Sequence, residues 1–157
     1  MSAPPSSPVP TTRSSTFADE IQRRVDALRD HAPAVRQTSV EQRKAKLRRL
    51  ATALLNRRQV FYDALEADFR KAPVEVDLTE IKAVTKEAEH AIAHLEDWMK
   101  PDRVDSPLLF AGSRSEIQYE PKGVVLIMAP WNYPVNLTLG PLVGALAAGN
   151  CVALKPS

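Results

Sequence analysis

Two short stretches near the C-terminus hold the residue types best suited to chemistry. Asn132 lies in the turn Pro130-Trp131-Asn132-Tyr133-Pro134, directly after the apolar run Gly123-Val124-Val125-Leu126-Ile127-Met128-Ala129. Lys155 lies in Leu154-Lys155-Pro156-Ser157, after a second apolar run. A primary amide carries two N–H donors on a short tether, suited to holding an oxyanion as charge develops beside a hydride-transfer site. A lysine ammonium carries a compact charge and three donors, suited to ribose hydroxyls or a phosphate. Each residue also has a plainer use. Asn132 can cap the helix that follows, and a lysine after a buried strand can be ordinary surface. Neither a Gly-x-Gly-x-x-Gly pattern nor a phosphate-loop glycine-lysine pattern is present, so spacing alone names no cofactor.

The elements around these residues bring them together. Val124 to Met128 is apolar without alternation, the pattern of a strand covered on both faces in a parallel sheet. Pro134 to Ala148 reads as a helix whose Gly140, Gly144, Ala145, Ala147 and Ala148 allow close approach to the sheet. Gly149-Asn150 ends it, the glycine supplying a left-handed cap. Cys151 to Leu154 is the next buried strand. Strand, short helix and strand at this spacing predict a right-handed parallel crossover. Asn132 and Lys155 then occupy the carboxyl ends of neighbouring strands, where open α/β sheets gather their ligands.

Upstream, the chain is helical. Phe17, Ile21, Val25 and Leu28 recur at spacings of four, four and three, predicting a first helix that ends near His31 to Pro33. A capping box, Thr38 with Glu41 or Ser39 with Gln42, opens a longer second helix. Leu47, Leu50, Leu54, Phe61, Leu65 and Phe69 mark its buried face as far as Arg70, before Ala72-Pro73 stops it. A third helix begins near Asp77, with Glu80 three residues on, and turns Ile81, Val84, Ala88, Ile92, Leu95 and Trp98 inward before Pro101. Pro101 to Gly112 is turn-rich, Ser115 to Glu120 alternates like a strand with one wet face, and Pro121-Lys122-Gly123 turns the chain. Residues 1–16 are nearly all proline, serine, threonine and alanine, too poor in apolar surface to offset the cost of ordering, and read as a disordered tail. The fold class is therefore α/β, with N-terminal helices over 17–100, strands over about 114–122 and a βαβ unit over 123–157.

Composition narrows the function. Lysine plus arginine number 21 against 19 acidic residues, so the charge balance gives no reason to expect a nucleic-acid partner. The local cluster from Arg43 to Arg49 is interrupted by apolar residues at helical spacing and reads as a solvated helix face. The single cysteine, Cys151, forms no internal disulfide, which suits a reducing, cytoplasmic setting. At the start of a buried strand, with no histidine or glutamate placed to activate it, Cys151 reads as a packed thiol. No apolar run reaches the ~18 residues of a membrane span. His90 and His94 are four apart, but Ala91 stands where a metalloprotease helix has glutamate, so both read as solvated and no metal site is expected. Gly112-Ser113 does not make a nucleophile elbow.

The segment Glu120-Pro121-Lys122-Gly123-Val124-Val125-Leu126-Ile127-Met128-Ala129-Pro130-Trp131-Asn132-Tyr133-Pro134, with Asn136-Leu137, Gly149-Asn150 and Lys155-Pro156-Ser157, closely resembles the aldehyde dehydrogenase superfamily over about forty residues. Its flavour is that of the branch acting on fatty and aromatic aldehydes. The resemblance implies an incomplete aldehyde dehydrogenase fold, with 114–122 as oligomerisation strands and 123–157 opening a Rossmann-like, NAD- or NADP-binding sheet. It implies that Asn132 donates to the oxyanion, that Ala129, Pro130 and Trp131 line the cofactor path, and that Lys155, Pro156 and Ser157 meet the adenosine ribose. The parent would be a homo-oligomer oxidising an aldehyde substrate. The family's nucleophilic cysteine and base glutamate lie downstream of the residue matching Lys155. An inactive N-terminal fragment, poorly soluble because its sheet is cut after two strands, is therefore expected. The competing expectation is a helical protein-interaction module, which has no need of the Pro130–Pro134 turn or of Lys155 at strand spacing.

Overall fold

The computed structural model describes residues 12–110 and 112–157. The expected tail lies outside the described residues as far as residue 11, and its remainder is helical, because α1 spans Thr12–Arg36. That helix also passes through Pro33, where the sequence predicts its end. Side chains from the connection and from the next helix serve its last carbonyls: Thr38 Oγ1 donates to Val35 O at 2.6 Å, and Arg43 Nη2 donates to Arg36 O at 3.0 Å.

Helix α2 (Val40–Asn56) opens with a capping box formed by Ser39 and Gln42, each side chain bonded to the other's backbone N–H. Of the two boxes the sequence allows, Ser39 makes this one because Thr38 is already engaged with Val35 and Arg43. The long second helix expected from periodicity is two helices. The chain breaks at Arg57, and α3 runs Arg58–Phe69. None of Asn56, Arg57, Arg58 or Gln59 is buried, so no packing holds the helix straight through this polar run. Helix α3 ends at Arg70 in the left-handed conformation, φ 57°.

Beyond Ala72 the chain is helical from Pro73, which takes the first turn where its missing N–H costs nothing. Helix α4 (Pro73–Val76) leads into a π-helical turn, Asp77–Ile81, and then into α5 (Lys82–Trp98). The third helix thus begins four residues earlier than expected and contains a widened turn. Tyr62 Oη donates to Asp77 Oδ1 at 2.7 Å, fastening α3 to that turn and raising the phenol's pKa, chiefly through this bond.

The described residues form two small sheets. Strands β1 (Asp102–Val104) and β2 (Ser115–Ile117) pair antiparallel. Strands β3 (Val124–Met128) and β4 (Cys151–Lys155) pair parallel, Val124 opposite Cys151 and Met128 opposite Lys155, with α6 (Asn136–Ala147) between them in sequence. Helix α6 ends in a Schellman motif: Gly149 has φ 82°, its N–H donates to Leu146 O, and the Asn150 N–H donates to Ala145 O. Asn150 also accepts the Gly123 N–H through Oδ1 at 2.9 Å, locking the starts of the two parallel strands together.

Helix α6 packs on α5 and α2 as well as on the parallel strands, while α1 lies along β4 and β3. The core is helical: Leu47, Val76, Ile81, Val84 and Val143 are fully buried. Arg43 departs from the solvated face predicted for its cluster. It is buried because its guanidinium donates to three oxygens, Ala147 O at 3.1 Å among them, and so caps both α1 and α6. Burial also lowers its pKa. Gly144 is exposed, with open space where a Cβ would stand, so close approach is not what it provides. Trp98, expected inside, is half exposed on the face that carries His90 and His94; the exposed His94 ring stacks on it and the His90 ring lies tilted beside it. Among the described residues no helix is long and apolar enough to cross a membrane, and no group of three or more His, Cys, Asp or Glu is placed to hold a metal.

Candidate functional site

Parallel pairing puts the carboxyl ends of β3 and β4 side by side. The Ala129 N–H donates to Lys155 O at 3.1 Å, so the ladder continues one step past the strands and joins the two predicted stretches directly. Ala129 is buried, whereas Pro130, Trp131, Asn132, Lys155, Pro156 and Ser157 are exposed. The residues singled out from sequence therefore share one end of one sheet. No hydrogen bond joins the side chains of Asn132 and Lys155.

The turn from Pro130 to Pro134 is held from outside the sheet. The Trp131 ring stacks on Phe69, with centroids 6.1 Å apart and planes within 12°. Lys71, the second residue past α3, reaches the same turn. Its Nζ donates to Asn132 O at 3.0 Å and lies 4.1 Å from the centre of the Tyr133 ring, a cation–π distance. The left-handed Arg70 re-aims the chain between Phe69 and Lys71.

Lys71 is paired in turn with Glu80, at 2.8 Å, and Glu80 is 0% exposed. The second oxygen of Glu80 accepts the backbone N–H groups of Val135 at 3.1 Å and Asn136 at 2.9 Å. These are orphan donors at the start of α6, at the positive end of its dipole, so the carboxylate acts as an N-cap supplied from another helix. Asn136 Nδ2 adds a bond to Thr79 O at 2.9 Å. A buried carboxylate otherwise carries a heavy desolvation cost, offset here by one ammonium and two amide donors.

This cap removes the plainer use of Asn132. The residue at the N-cap of α6 is Val135, with no side-chain cap bond of its own, and Glu80 takes the open N–H groups. Among the described residues the Asn132 side-chain amide makes no hydrogen bond, and its main-chain carbonyl is the atom that is held. The Lys155 ammonium likewise has no ion-pair partner among the described residues. Free donors therefore stand on a fixed backbone at two adjacent strand tips.

Cys151 is buried at the opposite end of β4, four residues from Lys155, or about 13 Å along an extended strand. That is the position of a packing residue.

Sequence reasoning missed Lys71 and Glu80. Lys71 follows a helix end with no periodic signal, but Glu80 did leave one. It stands in the apolar stripe Val76, Glu80, Val84, Ala88 at spacings of four, and a charge on a buried stripe requires a partner.

Comparison with known proteins covers helices and strands alike. Aldehyde dehydrogenase family 3 member B1 of Bos taurus is 44% identical over 141 residues, 90% of this chain and 29% of that protein. Aldehyde dehydrogenase family 3 member B2 of Mus musculus is 47% identical over 131 residues, 83% of this chain and 27% of that protein. Among solved structures, the substrate-bound state of Staphylococcus aureus AldH superposes with a TM-score of 0.83 at 36% identity, covering 87% of this chain and 30% of that one. The chain thus spans less than a third of the length of the relatives it matches. These matches include the amphipathic helices as well as the strands. Residues 4–157 match the aldehyde dehydrogenase family, and the chain belongs to it.

Proposed function

We propose that this chain supplies the oxyanion donor and one wall of the cofactor site of an NAD- or NADP-dependent enzyme that oxidises a fatty or aromatic aldehyde to the carboxylic acid. The observation that carries this is the Asn132 amide, unbonded on a backbone held by Lys71, at a strand tip hydrogen-bonded to Lys155. When a thiolate adds to an aldehyde carbonyl, the oxygen becomes an anion, and a preorganised N–H that meets it lowers the barrier. Asn132 plays that part.

The donors present fit a nicotinamide dinucleotide at the tips of a Rossmann-like sheet: Lys155 and Ser157 can meet ribose hydroxyls, while Ala129, Pro130 and Trp131 offer a mainly apolar wall. When bound, that cofactor accepts the hydride. The attacking thiol comes from outside residues 1–157, because Cys151 is buried at the wrong end of β4. The same residues by themselves are expected to be inactive. The pair β1–β2 stands apart as a two-stranded sheet with Val104 and Ile117 exposed. Isolated pairs of this kind are marginal alone, which suits strands that add to a second subunit of a homo-oligomer. One unpaired, buried thiol suits a cytoplasmic setting.

The test is Asn132→Ala in the complete enzyme that carries this segment. Its kcat should fall about 10²–10³-fold, with little change in KM for the cofactor. An unchanged kcat would remove Asn132 from the chemistry. Lys155→Ala should instead raise the cofactor KM, and Cys151→Ala should keep its activity.

A further inference from the structure

We infer that Lys71 and Glu80 are positioning residues that set the donor geometry of Asn132, an inference resting on the oxyanion role proposed above. Glu80 lies in the π-helical turn, fully buried, with one oxygen on the Lys71 ammonium and the other on two successive backbone N–H groups, those of Val135 and Asn136. Lys71 spends a further donor on the main-chain oxygen of Asn132 itself and covers the ring of Tyr133. The backbone is therefore gripped at Asn132 and again three and four residues later, by two charges that also neutralise each other. At the first grip it is the main-chain oxygen of Asn132 that is held, and the side-chain amide that has to meet the substrate oxygen is left unbonded.

A buried ion pair is weak support for stability, because apolar replacements often serve as well. What this pair provides and packing alone does not is direction. Charge-assisted bonds to main-chain atoms hold the turn to a narrow geometry, and displacing a reacting group by about 1 Å can cost on the order of 10²-fold in rate. π-helical turns are rare and frequent at functional sites, and here the turn carries the carboxylate.

The experiment is a double-mutant cycle in the complete enzyme, with kcat expressed per active site by burst titration and folding followed by circular dichroism. Lys71→Met should lower kcat roughly 10- to 100-fold, with the cofactor KM within about threefold because the β4 tip is untouched. Lys71→Arg should restore part of the rate, and Glu80→Gln should behave like Lys71→Met. In an Asn132→Ala background, Lys71→Met should cost nothing further, since the group it positions is gone. Multiplying losses in the double variant, or a per-site kcat that Lys71→Met leaves unchanged while the melting temperature drops, would overturn the inference and leave Asn132 its role. If Asn132→Ala alone is silent, the oxyanion role falls and this inference falls with it.

Discussion

The helical layer and the parallel strands are built to different standards. In α5, Val84, Ala88, Ala91 and Leu95 are at most 1% exposed, and the buried charge beside them is fully bonded. In β3 and β4, Leu126 is 59%, Met128 71% and Leu154 42% exposed, along a two-stranded ladder with open edges. One region has its partners within these residues. The other presents apolar strand surface that parallel sheets normally cover on both faces. The rigidity of the site originates in the helical layer. Asn132 is fixed by the finished region, through Lys71 and Glu80, more than by the strand that leads to it.

Substitutions can sharpen that contrast or break it. Glu80→Ala leaves the Lys71 ammonium without its carboxylate and two N–H groups unmet, and should cost about 3–5 kcal/mol in urea melts. A loss below about 1 kcal/mol would show that the turn stands without the helical layer. Leu95→Ala opens a cavity in a sealed core and should cost about 2–5 kcal/mol, whereas Leu126→Ala on the strand should stay within about 1 kcal/mol. Equal losses would erase the distinction between the two regions.

Gly149→Ala sits on the seam. Its φ of 82° disfavours a side chain, and the new Cβ would lie 2.5 Å from the Arg43 guanidinium that caps α6. A loss of roughly 1–2 kcal/mol is expected from the backbone alone, and the contact with Arg43 adds to it for any residue that carries a Cβ. Smallest, and opposite in sign, Gly144→Ala meets open space inside an exposed helix and should gain about 0.5–1 kcal/mol.

The parts legible in sequence are those whose signal is local. The span of β3 follows from an unbroken apolar run, the end of α6 from Gly149, and the cap of α2 from Ser39 and Gln42. The adjacency of Ala129 and Lys155 follows from strand, helix and strand at crossover spacing. Features that depend on distant partners were not legible. Arg43 reads as a surface charge until Ala147, 104 residues away, is seen to accept its hydrogen bond. Lys71 and Asn132 are 61 residues apart, and nothing periodic relates them. Strand β1 is three residues long and wholly exposed, too short for alternation to register. The break at Arg57 leaves the apolar spacing intact on both sides, so periodicity reads through it.

The long separation between Glu80 and its helix-capping partners also bears on how the protein is made. Glu80 precedes the amides it accepts by 55 and 56 residues, so on the ribosome the socket emerges first. At ~5–20 residues per second it waits about 3–11 s for the turn that fills it. During that interval a carboxylate destined for the interior stays hydrated, and the helices around it settle fully only when the later segment arrives. Assembly of the amide-bearing loop is thus tied to the closing of the hydrophobic interior, and a nascent chain in which that step fails would still expose Glu80 to solvent.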